Sequence, residues 1–390
     1  MTIVVTGGGS GGHITPLLAV AHELKRQLKD VKIVYIGQKG DALGDIPAQS
    51  QDIDEVHFIR AGKFRRYHGE GLKQLLDVVT LFKNLRDAVW VLVGMWQSFW
   101  LLGKLRPQVI FVKGGFVGVP VGFMAALRHI PYVTHDSDAL PGLANRIIAR
   151  WAKVHTVALP KEIYSYPVDK TVTVGVPLVH QYKQLSAKEV AEARHQIGIS
   201  QKGRVLMVTG GGLGALRLNN AVAACMPELL DRYRDLTVIH VAGRNHEAEL
   251  RKRYQQELAP IDQPRVIVKG FITNMYLYSG AADVVITRAG ATAMAEFAAQ
   301  AKACIVVPNP LLTGGHQLKN AKVLADRMAI KMVSENTLQH DDHALMPPLV
   351  ELFDKPERAA QLGTRLHTFA EPDSAKRLAV VLLEVAGKQK

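Results

Sequence analysis

The chain has 390 residues, 48% of them hydrophobic and 21% charged, with two cysteines and a net charge of +13. That apolar content excludes a disordered chain, the absence of a glycine period excludes collagen, and two cysteines are too few for a disulfide scaffold. At ~100 to 200 residues per domain, the length predicts two domains.

Short apolar strands alternate with helical patterns along the whole chain, which is the pattern of βαβ units and parallel sheets. The first strand, TIVVT over 2–6, follows directly on Met1 with no basic region or long apolar run, so no export by the secretory route is expected. Strands follow over 31–37, 108–114, 131–135, 153–159 and 171–175, then over 204–210, 236–243, 265–270, 283–290, 303–309 and 330–333. Several are β-branched runs without alternation, as expected for strands covered on both faces. An amphipathic helix is predicted over 188–197, and after Lys355 the pattern is helical to the end. Twelve such strands suit two open sheets better than one.

A repeat marks the division. IVVTGGGSGG at 3–12 recurs as LMVTGGGLGA at 206–215, so a strand, a glycine-rich turn and a helix start return after 203 residues. Two Rossmann-like domains are expected, over 1–175 and 176–370. The last helix, 371–390, is expected to pack back on the first domain. Cys225 and Cys304 each sit in an apolar run and read as reduced core thiols, which points to a reducing cytoplasm.

Glycine lets the backbone approach a ligand, and the amides of the helix that follows face an anion favourably. His13 closes the first loop, where an imidazole either takes a proton from a substrate hydroxyl or donates to an anion. A nicotinamide enzyme usually carries an acid at the tip of the second strand for the ribose, but that strand ends in Gly37-Gln38. In the second half, Thr287–Glu296 joins a strand to a helix whose first amides can hold a pyrophosphate. Glu296, in the apolar run TAMAEFAAQA, is a candidate acceptor for a ribose hydroxyl pair. The loop at 308–321 brings His316 and Gln317 to a helix start, where they suit sugar hydroxyls.

Eight ordered motifs together resemble glycosyltransferase family 28: GGGSGGHITP (7–16), KGGFVGVP (113–120), HDSDALPG (135–142), GVP (175–177), GGGLGA (210–215), GFITNM (270–275), TRAGATAMAE (287–296) and GGHQLKNA (314–321). The resemblance implies a GT-B fold, two Rossmann-like α/β domains with parallel sheets facing across a cleft. It implies an inverting hexosyltransferase that moves N-acetylglucosamine from UDP-N-acetylglucosamine to the 4-hydroxyl of the muramyl sugar of undecaprenyl-linked lipid I. The product would be lipid II, for peptidoglycan synthesis, cell shape and cell division.

By this resemblance His13 is the catalytic base, and Ser10, Gly11, Gly12, Gly114, Gly115 and Phe116 meet the acceptor diphosphate. Phe271 caps the uracil and the Ile272 backbone reads its edge, with Met275 beside them. Glu296 holds the ribose, Gly290, Ala291 and Thr292 the donor phosphates, and His316 and Gln317 the sugar. Asp138, Gly212, Gly214 and Arg288 complete the UDP-sugar site. No metal or other cofactor is implied, because helix-end amides can stabilise the leaving UDP. The chain also departs from the family pattern. Asp138 stands where HEQN has its last amide, Val179 where GNPVR has arginine, with His180 and Lys183 as nearby stand-ins, and Gly212 and Leu216 replace a serine and an arginine. Alternatives are a family 28 enzyme for another lipid such as diacylglycerol, and a non-catalytic nucleotide-sugar-binding homologue.

Within the first half, residues 60–113 hold 10 basic against 3 acidic side chains, its whole excess of +7. The same stretch contains AVWVLVGMWQSFWLLG (88–103), with three of the four tryptophans. Sixteen residues fall short of the ~20 of a spanning helix, so an interfacial helix is expected. Trp90, Trp96 and Trp100 would enter the headgroup boundary, with Lys83, Arg86 and Lys104 on anionic lipid. The alternative is a buried helix of the first sheet. The expected place is peripheral, on the cytoplasmic face of the bacterial membrane beside other cell-wall synthesis proteins. No nucleic-acid partner is expected, since no zinc, homeodomain or RNA-recognition signature occurs.

Overall fold

The computed structural model describes residues 1–62, 78–212, 214–310, 315–341 and 343–387, without the side chains of 78–81 and 83. The chain opens with β1 (Thr2–Thr6), α1 (Gly11–Gln27), β2 (Lys32–Gln38), α2 (Asp45–Ala48), β3 (Glu55–Ile59) and α3 (Val78–Leu105). It continues with β4 (Val109–Val112), α4 (Gly118–Leu127), β5 (Tyr132–Asp136), α5 (Leu143–Ile148), β6 (Val154–Val157) and β7 (Thr171–Thr173). These strands pair in parallel, in the order β3-β2-β1-β4-β5-β6-β7.

The second set runs α6 (Ala187–Gln196), β8 (Arg204–Thr209), α7 (Leu216–Arg232), β9 (Leu236–Val241), α8 (Glu247–Glu257), β10 (Val266–Lys269) and α9 (Met275–Ala281). Next come β11 (Val284–Thr287), α10 (Ala291–Ala299), β12 (Ala303–Val306), α11 (His316–Asp326) and β13 (Lys331–Met332). Helices α12 (Glu335–His340), α13 (Met346–Asp354), α14 (Pro356–His367) and α15 (Ser374–Val385) end the chain. The second sheet is also all parallel, in the order β10-β9-β8-β11-β12-β13.

Both sheets are covered on two faces, which is why their central strands carry unbroken β-branched runs. In the first, Ile3, Val5 and Phe111 pack with Leu17 and Leu24 of α1 and with Leu378 and Leu382 of α15. On its other face Val4, Ile110 and Val112 pack with Leu102 of α3, Val121 of α4 and Ile148 of α5. Each such side chain contributes about 1.5 to 3 kcal/mol when fully buried. Met1–Val179, residues 315–316 and the segment from Glu371 form one compact unit, and His180–Pro310 with Gln317–Ala370 form the second. Gly175, at φ +83°, allows the returning segment close, since a Cβ there would stand 2.5 Å from the Glu371 Cβ and the Ser374 Oγ.

The twelve strands read from sequence all occur, and β3 was overlooked. EVHFI lies at a sheet edge and alternates Glu55 and His57 with apolar residues, so it lacks the apolar run that marks the inner strands. Both cysteines are buried and unbridged.

Candidate active site

In open parallel sheets the ligand crevice lies at the carboxyl ends of the two strands where the strand order reverses. In the first unit those strands are β1 and β4. The loops leaving them, 7–10 and 113–117, are distant in sequence and touch in space: a Cβ on Gly115, at φ +78°, would be 2.6 Å from the Gly8 carbonyl oxygen. Behind the first loop, the Asp41 carboxylate accepts from the Gly9 N–H at 2.6 Å and the Tyr35 hydroxyl donates to the Gly7 carbonyl at 2.6 Å. No side chain caps α1 at Ser10, and a Cβ on Gly11 would meet nothing within 4 Å. The helix N-terminus therefore opens on free space, with amides suited to an anion.

His13 lies in the first turn of α1, with Nδ1 at 2.9 Å from the Gly8 carbonyl and 3.1 Å from Ser10 Oγ. A carbonyl only accepts, so Nδ1 carries the proton and Nε2 is left as an acceptor. That Nε2 lies 3.7 Å from the position of a Cβ on Gly114, and the Asn145 amide converges on the same point at 3.7 Å. Asn145 Nδ2 donates to the His135 carbonyl at 2.9 Å, while its buried Oδ1 has no partner among the described residues. Burial first, and the Lys113 ammonium second, push the His13 pKa down to about 4.

Lys113 is only 4% exposed, and its amine makes no hydrogen bond among the described residues. Burial pushes it down to about 8 against the pull of Asp136 and Asp138. A desolvated cation beside a glycine loop is an incomplete ion pair that an incoming anion completes. Asp136 is committed elsewhere: it accepts from the Gly142 N–H at 2.9 Å and from the Tyr166 hydroxyl at 2.8 Å, holding the turn into α5 that carries Asn145.

In the second unit the reversal lies between β8 and β11. The loop after β8 has Gly211 at φ +89° and Gly214 at φ +78°, and a Cβ on Gly214 would stand 2.2 Å from the Ala242 carbonyl. After β11, Gly290 caps α10 with open space around it, and no side chain caps that helix. Glu296 lies within α10, where burial pushes its carboxyl up to about 8 against the opposing pull of Tyr182. Arg244 stands over the Phe271 ring, 4.7 Å from its centroid. Gln317 Oε1 accepts from the Asn309 N–H at 2.9 Å, beside His316 at the start of α11.

Residues 3–156 match the Glycosyltransferase family 28 N-terminal domain, and residues 205–378 match the Glycosyltransferase family 28 C-terminal domain. A Natranaerobius thermophilus protein named "UDP-N-acetylglucosamine--N-acetylmuramyl-(pentapeptide) pyrophosphoryl-undecaprenol N-acetylglucosamine transferase" is 30% identical over 344 residues, 88% of this chain and 89% of that protein. The chain belongs to glycosyltransferase family 28. A Bacillus licheniformis protein of the same name is 30% identical over 386 residues, 99% of each. Among solved structures, MurG of Acinetobacter baumannii matches with a TM-score of 0.68 at 23% identity, covering 98% of this chain and 99% of that one. The two parallel α/β domains are those of the GT-B fold expected from the family resemblance.

As a family 28 chain, the protein brings Ser10, Gly11, Gly12, His13, Gly114, Gly115 and Phe116 together at one crevice, and Gly212, Gly214, Gly290, Ala291, Thr292 and Glu296 lie on the loops and helix at the other. Two expected donor residues, Arg288 and Asp138, stand differently. The Arg288 guanidinium is buried on Glu335 and on the Val307 carbonyl, so it anchors its loop rather than offering a free charge. Asp138 is in the first unit, where its charge acts on His13 and Lys113. Ile272 is a core side chain, leaving only its backbone to a ligand, and Met275 packs against the same core at the start of α9. Sequence reasoning missed Asn145, which lies outside any glycine loop, and had included Lys113 only as the first residue of the 113–120 segment.

The apolar stretch is one helix of 28 residues, and its part Asn84–Leu105 is long and apolar enough to cross a membrane by length and composition. That corrects the sixteen-residue estimate, which stopped at the charged flanks. The helix nevertheless buries Asp87, Gly94, Ser98 and Leu102 against its own unit, with the Gln97 side chain accepting from the Arg60 N–H at 2.8 Å. Its small and polar residues face inward, while Phe82, Leu85, Val89, Leu92, Trp96 and Trp100 are exposed along one side. Trp90 lies under the Arg60 guanidinium, 4.1 Å from its ring centroid, and Arg86 pairs with Asp87 at 2.9 Å. Lys104 is exposed, and the Lys83 side chain lies outside the described residues.

Proposed function

We propose that this chain transfers N-acetylglucosamine from UDP-N-acetylglucosamine to the 4-hydroxyl of the muramyl sugar in undecaprenyl-linked lipid I, with inversion, giving lipid II. Family membership and full-length relatives carrying that activity in their names support the reading. The observation that carries the chemistry is the fixed tautomer of His13, whose Nε2 is an unprotonated acceptor at neutral pH.

The acceptor diphosphate meets the N-terminus of α1, the Gly114-Gly115-Phe116 loop and the Lys113 ammonium. Its negative charge offsets one of the two effects that depress His13, so the imidazole gains basicity when substrate arrives. The 4-oxygen attacks the anomeric carbon, its proton passes to Nε2, and the bond from carbon to the phosphate oxygen breaks with both electrons leaving on UDP. The amides of Gly290, Ala291 and Thr292 at the N-terminus of α10 receive that charge. Phe271 and the Ile272 backbone hold the uracil, Glu296 the ribose, and His316 and Gln317 the sugar. Arg288 and Gly214 fix the loops on which these groups stand.

The exposed side of α3 rests on the cytoplasmic face of the membrane, Trp96 and Trp100 at headgroup level and Lys104 on anionic lipid. On this reading the enzyme is peripheral, beside its lipid acceptor and other cell-wall synthesis proteins. Transfer of radiolabel from UDP-N-acetylglucosamine to lipid I tests the reading. Labelled lipid II is expected, and transfer to diacylglycerol alone would replace the acceptor assignment.

A further inference from the structure

Glu335 opens α12, where Ser334 fixes the backbone by capping the helix: its Oγ accepts from the Thr337 N–H at 2.9 Å. The Glu335 side chain is buried, 5% exposed. The Arg288 guanidinium meets it as a fork, Nη1 donating to Oε2 and Nη2 to Oε1, the latter at 3.2 Å. The same Nη1 donates to the Val307 carbonyl at 3.0 Å. Arg217, in the first turn of α7, brings a second guanidinium to 3.7 Å from Oε1.

One buried carboxylate thus ties α12 to the chain leaving β8, β11 and β12, three adjacent strands of the second sheet. Arg288 stands two residues before Gly290, the cap of α10, and the Ala289 carbonyl between them accepts from Asn320 Nδ2 at 3.2 Å. The first amides of α10 therefore stand on a loop held from Glu335. Desolvation offsets much of the attraction in a buried ion pair, so stability alone gives little reason for this one.

We propose that Glu335 is a positioning residue for the leaving group: acting through Arg288, it sets the N-terminus of α10 at the donor diphosphate. Glu335 lies outside every motif that carries the family resemblance. The inference rests on the reading of the α10 amides as the site that receives UDP, and its test separates the two.

Transfer kinetics with UDP-N-acetylglucosamine and lipid I, and calorimetry with UDP, are measured on the full chain. The variants are Glu335→Gln, the double variant Arg288→Met with Glu335→Leu, and Ala291→Pro. The double variant removes the pair as a neutral unit and is expected to fold even where Glu335→Gln, which leaves Arg288 charged and buried, does not. Ala291→Pro deletes one amide at a helix start that accepts proline, because Gly290 before it is extended at ψ 132°. Charge on the diphosphate grows as the bond breaks, so both Glu335 variants are expected to lower kcat about tenfold and to raise KM for UDP-N-acetylglucosamine less than about threefold. KM for lipid I should stay within about twofold, and the two variants should agree within about threefold because the pair acts as a unit. UDP affinity should fall about five- to tenfold in each. Wild-type kcat in either folded variant, even with a lowered Tm, would overturn the role of Glu335, and a reduced kcat in Ala291→Pro would then leave the amide reading standing. Wild-type kcat in Ala291→Pro would remove both.

Discussion

The two glycine loops follow β1 and β8 in sheets that share one strand order except for the added β7 of the first, and each leads into a 17-residue helix. Around this shared backbone the side chains differ in sign. The first crevice holds Lys113, a desolvated cation, next to His13. The second holds Glu296, a desolvated acid. Both units have helix amides that open on free space and suit an anion. On the proposed reading the buried charge decides what else each accepts: a cation completes its pair with a diphosphate, and an acid with a diol.

Removing the base should show this division most strongly. His13→Ala is expected to lower kcat by about 10² to 10⁴ while the dissociation constant for UDP, measured by calorimetry, stays within twofold. Unchanged turnover would assign the proton to another group. Lys113→Met should act on the acceptor only, raising KM for lipid I about 10- to 100-fold, as for a lost charge-assisted hydrogen bond, with UDP affinity unaltered. It should also raise the His13 pKa, observable in the imidazole proton resonances, because the ammonium is one of the two causes of its depression.

The pH dependence should run in opposite directions for the two substrates. Lys113 is cationic below about 8 and loses its charge above it, so KM for the acceptor should rise by up to about tenfold per pH unit beyond that point. Glu296 is protonated below about 8 and ionises above it, so KM for the UDP-sugar should fall as pH approaches and passes 8. Parallel curves for both substrates would erase the distinction between the crevices. The smallest expected effect is at α3: Trp96→Ala with Trp100→Ala should weaken partition onto anionic vesicles several-fold and leave transfer to a detergent-soluble acceptor unchanged.

Much of this was legible in the sequence. Unbroken β-branched strands, the repeated glycine turn and the ordered motifs led to two parallel sheets and the family, because these features depend on local conformation and on burial of both sheet faces. Polar edges were harder, and β3 was lost for that reason. The glycine positions of both crevices were found for the same local reason, since only glycine tolerates φ +78° at Gly115 and at Gly214. Arg288 looked like a ligand because its motif carries it, and nothing local revealed Glu335 as its partner 47 residues on.

Sequence alone determined the backbone chemistry: where the chain turns, which helices start on open amides, and which stretch carries aromatics with cations. The tertiary structure decided the charges. Burial set Lys113 and Glu296 near 8 and His13 near 4. Packing brought Asn145 to His13 and Arg288 to Glu335, and turned the apolar side of α3 outward. Desolvation and pairing depend on neighbours distant in sequence, so no local pattern contains them.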